Sequence, residues 1–119
     1  MFTSSRYIHH PMHAADLHHI KHNGFSVQLR PAGYEFINGL HYMDDEPTDV
    51  DVRYTICNKK DQFSKKQARI ELESKPYEKV EIHKLPEFLA KLELSMWRVS
   101  LPTSREYSNR WAWVWKYFI

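Results

Sequence analysis

From Val50 to Cys57 the chain alternates without a break: Val50, Val52, Tyr54 and Ile56 fall on one side, Asp51, Arg53, Thr55 and Cys57 on the other. A two-residue period is the repeat of a β-strand, whose successive side chains point to opposite faces of a sheet. The segment predicts a central strand with one face wet or covered by a partner. Phe25 to Arg30 alternates in the same way, and Pro31-Ala32-Gly33 closes it with turn residues. Tyr34 to Ile37 and Leu40 to Met43 flank Asn38-Gly39, a dipeptide that accepts the positive φ angles of a type I′ turn, so a hairpin is expected there. The acidic, proline-containing run Asp44 to Asp49 resists sheet pairing and reads as exposed loop.

Helices follow the strands. Ser64-Lys65-Lys66-Gln67 is a capping box, and the helix it opens is expected from Lys65 to Lys75, stopped by Pro76. Tyr77 to His83 offers a fourth strand around Val80 and Ile82. Pro86 then opens a second helix, reaching Leu94, whose Leu85, Phe88, Leu89 and Leu92 form one apolar stripe. Trp97 to Leu101 and Arg110 to Phe118 read as extended pieces around the polar run Pro102 to Asn109; the alternation of the tail favours a strand, with a helix as the alternative. Residues 1–24 form a histidine-rich lead-in, helical or irregular, ending at Asn23-Gly24. The expectation is a single domain over residues 1–119 of the α+β class: a mostly antiparallel sheet of four to six strands with two helices packed on one face.

Several classes fall away. Cys57 is the one cysteine of 119 residues, which excludes a disulfide scaffold and a zinc ribbon. The chain has no apolar run of membrane-spanning length, and its first residues lack the apolar core of a secretory signal; a cytoplasmic protein without membrane contact is expected. A net charge of +2 is too small to imply polyanion binding by itself. No phosphate-binding glycine loop or Gly-x-Ser-x-Gly elbow occurs, and no cofactor is implied. A Cys57 pairing with His41 or His83 is the one arrangement left open for nucleophilic chemistry, against the plainer reading of a small buried residue.

Three clusters stand out. Six imidazoles lie between His9 and His22, and the pairs His9/His13 and His18/His22 have the spacing of metal ligands on one helical face. Pro11 opposes a helix through the first pair, so a solvated polar segment is the plainer reading. Lys65, Lys66 and Arg69 share an arc of the first helix, with Lys59 and Lys60 just before it. Lysines in a first helical turn oppose the macrodipole, an arrangement suited to receiving a phosphate or an acidic partner; the alternative is a solvated face with Arg69 and Glu73 paired. Trp111, Trp113, Trp115 and Tyr117, beside Arg105, Arg110 and Lys116, can stack bases or anchor a protein, or else floor the core.

A strand ending in Cys57-Asn58, then Lys60-Asp61-Gln62-Phe63-Ser64-Lys65-Lys66 and Arg69 opening a helix, resembles a segment of small uncharacterised proteins encoded by bacteriophages. The likeness spans about Arg53 to Leu72, and the glycine that those proteins carry near Gln67 or Ala68 is missing here. The resemblance implies a compact phage accessory protein, of a class that acts by binding host proteins or nucleic acid, and it transfers no catalytic residue. The resulting expectation is a non-enzymatic protein that binds and modulates a host protein of defence or nucleic-acid metabolism, with a homodimer as a corollary. A nucleic-acid-binding module is the alternative.

Overall fold

The structure, a computed structural model, describes residues 5–12, 19–31, 35–37, 40–42, 49–98 and 105–117. Among the described residues, six strands and three α-helices follow in chain order: β1 (Arg6–Pro11), β2 (His22–Pro31), β3 (Glu35–Ile37), β4 (Leu40–Tyr42), β5 (Asp49–Asn58), α1 (Lys65–Leu72), β6 (Glu78–Glu81), α2 (Leu85–Leu94) and α3 (Arg105–Asn109). Single 3-10 segments cover Ile82–Lys84 and Ala112–Tyr117. The main sheet is antiparallel in the order β1-β2-β5-β6, and β3 and β4 form the expected hairpin with Ile37 opposite Leu40. Asn38-Gly39 itself and most of the acidic run lie outside the described residues; Asp49 opens β5. No helix among the described residues is long and apolar enough to cross a membrane.

The strand register sorts the side chains. Phe25, Val27 and Leu29 of β2 share a face with Ile8 of β1 and with Val50 and Val52 of β5, and all are buried. Leu85, Leu89 and Met96 cover that face from α2 and the residues after it, and Trp111 and Val114 complete the core. Each fully buried aliphatic or phenyl group there contributes about 1.5–3 kcal/mol relative to exposure. The reverse face is polar: Ser26, Gln28 and Thr55 are buried under α1.

The α+β class and antiparallel sheet are as expected, but the helices do not share a face. Tyr54 meets Phe88 of α2 at 6.1 Å between ring centroids, whereas the next residue, Thr55, donates to Glu71 of α1 at 2.8 Å. Consecutive strand residues point oppositely, so α1 and α2 sandwich the sheet. The physical reason lies in composition: α1 buries only Ala68 and Leu72, which suits it to a polar face, while α2 carries the broad apolar stripe.

Three further expectations change. The supposed helical or irregular lead-in contains β1, because Ile8 finds the core while Tyr7 and His9 face the other way. The helix α1 ends at Leu72 rather than Lys75, with the Ser74 and Lys75 N–H groups closing onto the Glu71 and Leu72 carbonyls. The tail is helical rather than extended: Trp111 and Val114 are buried three residues apart, a spacing that a 3-10 turn aligns, and Trp113 between them is 42% exposed. Of the extended piece expected from Trp97 to Leu101, Trp97 forms an isolated bridge to Ile20, and Val99 to Leu101 lie outside the described residues.

Candidate functional site

Strand β1 lies at the margin of the sheet, with β2 its only strand neighbour among the described residues. The Met12 N–H donates to the Asn23 carbonyl at 3.2 Å, continuing the register in which Pro11 faces Gly24. Antiparallel pairs alternate between bonded and non-bonded positions, so His10, Ile8 and Arg6 turn their backbone groups toward β2. Tyr7 and His9 turn theirs away from the sheet. Pro11 has no N–H, which ends the outward row of donors at that point.

A cavity of about 390 Å³ is lined by Tyr7, Ile8, His9 and His10 of β1 with Glu93, Arg110, Trp111 and Trp113. Four consecutive strand residues alternate in direction, so a depression that touches all four lies at the outer edge of the strand. On the α1 side, Tyr7 is 37% exposed and lies under the Arg69 guanidinium, 4.8 Å from ring centroid to carbon. Across the edge, the Trp111 and Trp113 rings stand 5.9 Å apart, with Trp113 the outer of the two.

The floor of this depression is a buried carboxylate. Glu93 accepts from the Trp111 indole N–H at 2.8 Å, and its other oxygen lies 3.4 Å from His10 Nε2. Burial alone would raise the Glu93 carboxyl, but hydrogen bonds from His10, Trp111 and Tyr107 together bring it below its ordinary value. Tyr107, partly buried and facing that carboxylate, is pushed up to about 12 by desolvation and by Glu93. The group is a fixed anion that locks Trp111 in place.

A second cavity, of about 440 Å³, opens between the polar sheet face and α1, lined by Ser26, Thr55, Cys57, Phe63, Gln67 and Glu71 among others. Ser26 Oγ is 2.7 Å from His9 Nδ1, while His9 Nε2 is buried without a hydrogen-bond partner among the described residues. Burial, then the charges of Arg69 and Lys65, lower His9 and favour its neutral imidazole. Burial, with Asp61 and Glu71, raises the Cys57 thiol, and its sulfur lies against the Asn58 and Asp61 carbonyls at 3.6 and 3.7 Å. A raised thiol is a poor nucleophile at neutral pH. His83 is engaged by Glu81 at 3.2 Å and makes no described contact with Cys57; the His41 side chain lies outside the described residues.

The basic residues separate. Arg69 lies over Tyr7 of β1, and Lys65 stands one turn before it on α1. Lys66 is exposed in the first turn of α1, which contains no acidic residue and is capped by Ser64, whose Oγ accepts from the Gln67 N–H at 3.2 Å. Lys59 and Lys60 sit in the turn after β5, and no described contact joins them to Lys65 or Arg69. The flat aromatic row does not form: Trp111 is core, Trp113 is surface, and Trp115 and Tyr117 are placed by their backbone in the 3-10 segment. Among the histidines, His9 lies in β1 and His22 opens β2, so neither sits on the helical face its spacing suggested; His13 and His18 lie outside the described residues. No group of three or more His, Cys, Asp or Glu among the described residues is arranged to hold a metal ion.

Sequence reasoning missed Tyr7, His10 and Glu93. Glu93 had a signal, since it lies one turn beyond Leu89 on the buried arc of α2, where an unpaired carboxylate has no place. Compared with known protein families, curated proteins and solved structures, the chain gives no match.

Proposed function

We propose that this chain is a non-enzymatic accessory protein of the phage type that binds and modulates a host protein in the cytoplasm, gripping an extended segment of that protein along β1. The observation that carries the reading is the depression at the outer edge of β1, unpaired on that side among the described residues, where Tyr7 and His9 lie beside the exposed Trp113. Strand addition draws affinity from main-chain hydrogen bonds and selectivity from pockets for alternate side chains, and this edge offers both. Tryptophan, tyrosine and arginine are also the residues that most often dominate protein contacts.

The test is a comparison. Host lysate is passed over the wild-type protein, Trp113→Ala and Tyr7→Pro, the last removing an outward N–H at an edge position where proline is tolerated. A host protein held by the wild type and released by both variants, with their thermal unfolding still cooperative, supports the reading. Equal retention by all three refutes it.

A nucleic-acid-binding reading rests on one observation, the exposed Lys65 and Lys66 in an α1 first turn free of acidic residues. Of the aromatic residues it would use, Trp111 is core and Trp113 is exposed. Retention of DNA or RNA that falls steeply with salt and with Lys65→Glu plus Lys66→Glu would favour it over strand addition.

A further inference from the structure

We infer that the segment β1 accepts is acidic, with carboxylates two residues apart; this rests on the strand-addition reading and adds the chemistry of the partner. The edge is flanked by cations on both sides. From α1, Arg69 lies over the Tyr7 ring with Lys65 one turn before it on the helix, and Arg110 lines the depression on the α2 side. All three are exposed. The one carboxylate in that lining, Glu93, is buried, with its oxygens already engaged by Trp111 and His10, while the three cations stand outside it at the surface.

An added strand would place alternate side chains on the two sides of the sheet. Those on the α1 side meet Lys65 and Arg69, which selects an acidic residue at every second position. The intervening ones meet Trp113 and Arg110, which suits an aromatic or acidic group. A second copy of this chain is the wrong occupant, because edge-to-edge pairing would set the Arg69 guanidinium and Lys65 ammonium of each copy against those of the other.

The experiment selects binders from a random dodecapeptide library with the full chain at physiological ionic strength. Amide exchange is then measured with the enriched peptides bound. Enrichment of acid-x-acid sequences, slowed exchange at Tyr7 and His9, and a loss of affinity of about fivefold for each of Arg69→Glu and Arg110→Glu would support the inference. Peptides that protect the same two amides without an acidic excess would overturn it while leaving strand addition standing. Protection elsewhere, or no enrichment, would remove both. A thymidine oligonucleotide that displaces the enriched peptides at the same ionic strength would also overturn it, in favour of nucleic acid.

Discussion

Gly24 is where the placement of β1 is decided, and replacing it by alanine is the sharpest test of the fold. The residue lies in the bulge between His22 and Phe25, with φ +130, a conformation L side chains rarely adopt. A Cβ there would stand 2.5 Å from the His10 carbonyl oxygen, 2.9 Å from Pro11 Cα and 3.0 Å from Phe63 Cδ2, all inside ordinary contact distance. Two of the three obstacles are backbone of β1, so relief requires that strand to retreat. The conformational strain costs about 1–3 kcal/mol. Overpacking adds a similar amount, about 1–3 kcal/mol. A net loss of about 3 kcal/mol is expected in urea denaturation analysed by linear extrapolation, with an unchanged slope. Native-state exchange should quicken first at Ile8 and His10, whose N–H groups face β2. A Gly24→Ala protein within 0.5 kcal/mol of its parent, a margin typical of neutral surface changes, would refute the argument that close approach fixes β1.

Glu93→Leu should cost about 2–3 kcal/mol by leaving the Trp111 N–H buried without an acceptor, and Glu93→Gln less, since the amide oxygen can still accept; urea midpoints compare them. Because the folded Glu93 carboxyl lies below its unfolded value of about 4.3, its stabilising contribution is present above that pH and lost as pH falls through the folded value. The acid-induced stability loss of the wild type should therefore shrink in Glu93→Gln, measured by thermal melts from neutral to acid pH. Ser64→Ala removes the cap of α1 and should cost about 1 kcal/mol by thermal melt. Trp111→Ala should cost about 3–5 kcal/mol in chemical denaturation, while Trp113→Ala, two residues on but half exposed, should leave stability within about 1 kcal/mol and lower only partner binding.

Much of this fold is legible in the amino-acid sequence where a periodic pattern coincides with burial. The alternation of Val50 to Cys57, the Ser64 cap and the Pro86 start all carry local signals strong enough to survive into the tertiary structure. The tail misleads because alternating large aromatics mimic a strand, while the two residues the core takes, Trp111 and Val114, are spaced by three. Strand β1 is hidden because His9 and His10 carry no apolar signal and Ile8 alone marks the inward side. The edge depression depends on β1, α2 and the segment around Trp113 meeting in space, and no local pattern encodes that meeting. Arg69 was singled out for its spacing from Lys65 and Lys66, but its neighbour Tyr7 comes from a strand some sixty residues earlier.

The helix α1 is joined to the sheet largely by hydroxyl, carboxylate and guanidinium groups, with Ala68 and Leu72 its only buried anchors and both outside the main apolar cluster. Detaching it would bare little oily surface, so this layer should peel away in a sub-global excursion well before the barrel of side chains around Phe25 gives way. Its amides would then trade hydrogen for deuterium sooner than those of β2. Such an excursion would also carry Lys65 and Arg69 off the strand margin, making the grip on a partner's tail as strong or as weak as the seating of one short helix.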